Sequence, residues 1–112
     1  LLELAAKAAI AAGDEIEFHG GSNSPMVYKD GGLTLRGWNP LEDDGDALRL
    51  AAKLSLDLMF TETDVEVIAG TAPHCNIYSD RYLYAIESLG NDRLAATRRA
   101  IVRAAAEIGR LT

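Results

Sequence analysis

Apolar residues recur at helical spacing from the start of the chain, where Leu1, Leu4, Ala5, Ala8 and Ala12 fall on one side of a predicted helix that Gly13 ends. The period then changes. Glu15-Ile16-Glu17-Phe18 alternates polar and apolar, as a short strand does, and Gly20 to Pro25 reads as a loop. Met26 to Tyr28 and Leu33 to Arg36 flank Lys29-Asp30-Gly31-Gly32, a hairpin signal, because Asp-Gly supplies the positive φ that tight turns need.

Helical spacing returns after Trp38-Asn39-Pro40-Leu41. Asp43, Asp44 or Asp46 can cap this second helix, and Leu48, Leu50, Ala51 and Leu54 form its buried side. Leu56 to Thr61 and Val65 to Ala69 predict a second strand pair across Glu62-Thr63-Asp64. Gly70-Thr71-Ala72-Pro73 turns the chain, and Cys75 to Tyr78 and Leu83 to Ile86 are shorter strand candidates. A third helix, capped by Asn91 or Asp92, runs to about Arg110 with Leu94, Ile101, Val102, Ala105 and Ile108 as an apolar arc. Arg98 breaks that arc, so it must reach outward or meet a carboxylate at the core edge.

Helix, strands, helix, strands, helix in that order, with short hairpin links, predicts an α+β fold. Helices on both faces give an α-β-α sandwich, a mainly antiparallel central sheet flanked by three helices; all three on one face give a two-layer α+β fold. The 112 residues suit a single domain, and a chain of that length buries roughly 65% of its unfolded surface. The 48% hydrophobic and 25% charged fractions are those of an ordinary globular protein. Cys75 is the only cysteine, which excludes an internal disulfide. No apolar run reaches the roughly 20 residues that span a bilayer, and Glu3 interrupts the leucines at the start. The expected location is therefore the cytoplasm. A net charge of −6 works against general nucleic-acid binding, most of whose affinity comes from phosphate contacts.

Two segments resemble a known family. One is Trp38-Asn39-Pro40-Leu41-Glu42-Asp43-Asp44-Gly45-Asp46-Ala47-Leu48-Arg49-Leu50-Ala51. The other is Glu87-Ser88-Leu89-Gly90 followed by Ala95-Ala96-Thr97-Arg98-Arg99-Ala100-Ile101-Val102-Arg103-Ala104-Ala105-Ala106. Together with Leu1 to Ala9 they resemble the phage α-β-α sandwich domain family of small phage and prophage proteins. The resemblance implies a virus-encoded or prophage-encoded protein acting inside a bacterial host, and a sandwich fold. It assigns no catalytic residue.

Candidate chemistry is sparse. Asp43, Asp44 and Asp46, with Glu42, offer oxygen ligands for a divalent cation, but they lack the alternating spacing of a calcium loop and serve equally well as helix caps. His74-Cys75 invites a nucleophile reading, yet neighbours on a strand point to opposite faces; Cys75 would need His19 in space, and a plain buried cysteine is commoner. Trp38 is either a packing anchor or an exposed contact. Tyr78, Tyr82 and Tyr84 gather near Arg81, and Tyr82 and Tyr84 share a strand face, an arrangement that suits either a binding surface or a wet core edge. Arg99, Arg103 and Arg110 make a basic stripe, open to nucleic acid or simply solvated, with Arg103-Glu107 as a helical pair. Neither a phosphate loop nor a serine elbow is present in the sequence.

The reading these features favour is a non-catalytic protein-interaction module that binds a host or phage protein and needs no cofactor. Trp38, Tyr82 and Tyr84 are its expected contacts. The alternatives are nucleic-acid binding through Arg99 and Arg103, or a small metal-dependent enzyme at the acidic turn. Exposed strand edges leave a homodimer open as well.

Overall fold

The computed structural model describes residues 2–19, 24–29, 34–69 and 82–111. Helix α1 (Leu2–Ala11) is followed by strands β1 (Ile16–His19), β2 (Ser24–Lys29) and β3 (Thr34–Gly37). Helix α2 (Asp44–Lys53), strands β4 (Leu56–Phe60), β5 (Asp64–Ala69) and β6 (Tyr82–Ser88), and helix α3 (Arg93–Leu111) complete the order. The fold is α+β and its strands are antiparallel, with helices packed on the sheets. The described strands divide into two sheets of three, β1-β2-β3 and β4-β5-β6, because α2 separates the two runs and within each run every strand pairs with its neighbour along the chain.

The local signals explain the helix ends. At the end of α1 the Asp14 amide donates to Ala9 O at 2.9 Å across Gly13, whose φ of 102° is open to glycine at no steric cost. Asp43 is the residue that caps α2, its Oδ1 accepting from the Gly45 amide at 3.0 Å. Asp92 does the same for α3, accepting from the Ala95 amide at 3.0 Å. Helix α2 leaves through Ser55, a non-glycine residue at φ 54°.

Two buried clusters share α3. Ile101, Val102 and Ala105 pack with Ala5, Ala6 and Ala9 of α1, with Leu50 and Ala51 of α2, and with Ile16 and Trp38. Ala96, Ala100 and Ala104 of α3 pack instead on Val65, Val67 and Ala85 of the second sheet. Leu56 and Leu58 touch both clusters. Alanine-rich surfaces bring α1 and α3 close, and at Gly109 the helices meet backbone to backbone: a Cβ there would lie 1.9 Å from the Leu4 carbonyl oxygen.

The residues around Lys29-Asp30-Gly31-Gly32 lie partly outside the described residues, but the strands they join do pair, with Val27 opposite Arg36. Strand candidate Cys75 to Tyr78 and the turn Gly70 to Pro73 lie outside the described residues.

Candidate functional site

Helices α2 and α3 run side by side over β4 and leave a groove of about 220 Å³ between them. Asp44, Ala47 and Leu48 line one wall, at the i, i+3, i+4 spacing that shares a helix face. Leu94, Thr97, Arg98 and Ile101 line the other at the same spacing, and Leu58 is the floor. At the mouth Leu48 is 66% exposed and Leu94 61% exposed. The pattern of apolar positions assigned both leucines to buried helix faces. Their helices do turn those faces inward, as Ala47, Leu50, Ile101 and Val102 show, but nothing among the described residues covers these two.

One end of the groove is polar and closed. Arg98, the residue that interrupts the apolar arc, donates through Nε to the Leu41 carbonyl at 2.8 Å and through Nη1 to Asp44 Oδ1 at 2.5 Å. Its stem covers apolar surface while its head is tied to the first turn of α2.

The acidic turn is divided among arginines. Asp43 caps α2 and lies 3.7 Å from Arg36, and Asp44 takes Arg98. Asp46 is the buried member, 1% exposed. Its Oδ1 accepts from Arg36 at 2.6 Å and Arg49 at 2.9 Å; its Oδ2 accepts from Arg36 at 3.0 Å and the Asn39 amide at 2.9 Å. Burial alone would raise its pKa. The hydrogen bonds from Arg36, Asn39 and Arg49 outweigh burial and hold the group at about 2. Among the described residues no group of three or more His, Cys, Asp or Glu side chains is placed to hold a metal ion.

The basic stripe of α3 is met by one carboxylate. Glu87 on β6 accepts from Arg99 Nε at 3.1 Å and from Arg103 Nη1, and Arg103 also reaches the Ile86 carbonyl at 3.1 Å. Burial pushes the Glu87 pKa up, but the two arginines pull it net below the usual carboxylate value. The expected Arg103–Glu107 helical pair does not form: Glu107 pairs with Arg110 at 2.9 Å, because Glu87 presents Arg103 with a partner from the sheet.

Trp38 is 5% exposed and sits in the first core cluster, so it is an anchor rather than a surface contact. Tyr82 and Tyr84 belong to β6, and their side chains, like that of His19, lie outside the described residues. His74, Cys75, Tyr78 and Arg81 lie wholly outside them. Among the described side chains, then, no expected aromatic contact lines the groove. Leu48 and Leu94 take that place, and the only sequence signal for them was their leucine identity on helices. A wider depression of about 320 Å³ is lined, among the described residues, by Gly13, Asp14, Glu15 and Val27, and Lys53 Nζ lies beside Gly13. No helix among the described residues is long and apolar enough to cross a membrane. The chain matches no protein-family model, no curated protein and no solved structure.

Proposed function

We propose that this chain is a non-catalytic protein-interaction module, and that it seats one or two apolar side chains of a partner protein in the groove between α2 and α3. The observation that carries this reading is the pair of leucines, Leu48 and Leu94, left exposed at the mouth of an apolar groove. Isolated exposed leucines are ordinary, but two that flank one concave apolar site form a contact surface. The groove's 220 Å³ falls below the roughly 300–1,000 Å³ of small-molecule pockets and suits an inserted side chain. The charged groups beside it support the same reading. Asp44 and Arg98 satisfy one another, and both carboxylates with shifted pKa values, Asp46 and Glu87, are lowered by arginines, whereas a general acid needs its value raised. The role of phage or prophage accessory protein rests on the resemblance of the helical segments.

A photo-cross-linking residue in place of Leu48 or Leu94 tests the site in nuclease-treated lysate of the bacterial host. One protein should cross-link from both positions and be lost with the Leu48→Lys, Leu94→Lys double variant, which keeps the wild-type circular dichroism. Cross-linking that is equal from Arg110, on another face of α3, would overturn the reading.

A further inference from the structure

We propose that a second copy of this chain pairs antiparallel with β4, joining the two β4-β5-β6 sheets into one across a two-fold axis at Leu58. Among the described residues β4 has a single ladder partner, β5. Thr61 N donates to Asp64 O at 2.9 Å, and hydrogen-bonded pairs alternate along an antiparallel ladder. Met59 and Asp57 therefore turn their backbone groups toward β5, and Leu56, Leu58 and Phe60 turn theirs outward. A strand is the element that satisfies such a row.

Natural edge strands are protected by lysine, proline or a bulge. β4, Leu-Asp-Leu-Met-Phe, has no lysine or proline and its ladder with β5 runs without a shift; its one charged residue is Asp57. The opposite edge, β6, does carry an irregularity, between Val67 and Ile68 of its partner. Leu56 and Leu58 pack under the helices, but β4 also exposes one large apolar side chain on each face. Met59 is 49% exposed on the side away from the helices, and Phe60 is 52% exposed on the side toward them. An occupant of the α2–α3 groove would leave the outward backbone unpaired; a paired strand takes it up and sets side chains of the copy beside Met59 and Phe60.

The occupant is a copy of the chain because the strand complements itself. About Leu58, Leu56 lies opposite the copy's Phe60, and Asp57 lies opposite the copy's Met59. No carboxylate faces another, and the apolar row on the helix side continues across the axis. Sliding the copy two residues toward Leu56 would set Asp57 against Asp57, so like charge limits slippage in that direction. This inference is independent of the groove's occupant and uses purified protein alone.

Sedimentation velocity over a rising concentration series tests it. The wild type should reach twice the 12.0 kDa chain mass. Phe60→Pro should stay at one chain mass while keeping its circular dichroism, because the Phe60 amide points away from β5 and proline is tolerated at such edge positions. If that variant fails to fold, Phe60→Lys gives the same answer through charge at a half-exposed site. A wild type that remains one chain at the highest concentration overturns the proposal. So does wild-type dimerisation by the Phe60 variants.

Discussion

Arg36 grips Asp46 with both terminal nitrogens, one on each carboxylate oxygen, at 2.6 Å and 3.0 Å. The pair joins β3 to the start of α2, and Asp46 also holds the Asn39 amide that leads into the helix. Planar bidentate geometry is the strong form of this contact. Replacing Asp46 by Ala leaves Arg36 and Asn39 facing a carboxylate-shaped void, at a cost of about 3 kcal/mol. A urea midpoint that falls accordingly, with an unchanged slope, is the expected outcome.

The same carboxylate makes stability depend on acid. Its ordinary value is 3.8 and its folded value about 2, so the unfolded chain takes up the proton first. Its contribution is complete above about pH 4 and is lost as the pH falls through about 2, amounting to about 2 kcal/mol. Glu87 is shifted in the same direction and adds to the slope. Thermal melts from pH 5 downward should show a falling Tm, and Asp46→Asn should flatten the acid limb.

Gly109 separates helix propensity from packing. Alanine is the better helix former by about 1 kcal/mol. Here its Cβ would overlap the Leu4 backbone, which cannot rotate away as a side chain tip can. Gly109→Ala should therefore destabilise the protein by about 2 kcal/mol as α1 is pushed off α3, and should lower Tm by several degrees.

Ser55 offers the opposite case. Its φ of 54° is a left-handed conformation that costs an ordinary residue about 1 kcal/mol. Ser55→Gly should raise stability by a few tenths of that figure or more, net of the entropy glycine adds to the unfolded chain, and calorimetry will read the sign.

Glu87 controls how basic α3 looks from outside. Arg99 and Arg103 both turn toward its carboxylate. Glu87→Ala should release them and raise the salt needed to elute the protein from heparin, and the wild type should elute earlier. Tighter heparin binding by the wild type would contradict the assignment of these arginines to the sheet.

Much of the framework was legible in the residues themselves. Gly13, Asp43 and Asp92 end or begin helices by local backbone chemistry, which needs no knowledge of the rest of the fold. Arg98 stood out because a guanidinium in an apolar arc requires a partner, and it has two, Leu41 O and Asp44. The partners of Asp46 were not legible: Arg36 arrives from a strand, and spacing along the chain says nothing about which arginine a carboxylate will meet. Leu48 and Leu94 were misplaced for a related reason. Periodicity assigns a residue to a helix face, but whether another element reaches that face is a property of the assembled layers. The division of the strands into two sheets was hidden in the same way, since hairpin signals name neighbours and not the edges where a sheet stops.

Helix α3 gives one flank to the cluster around Trp38 and another to the cluster around Val67. The second sheet packs on α3 directly, and the first packs on α1, which α3 in turn holds in place. Melting that helix would uncover both halves at once, so the protein has no half-folded refuge in which one sheet survives while the other opens. A lesion at a position such as Val102, buried where α3 meets α1 and α2, would loosen the first cluster directly and reach the second through the shared helix.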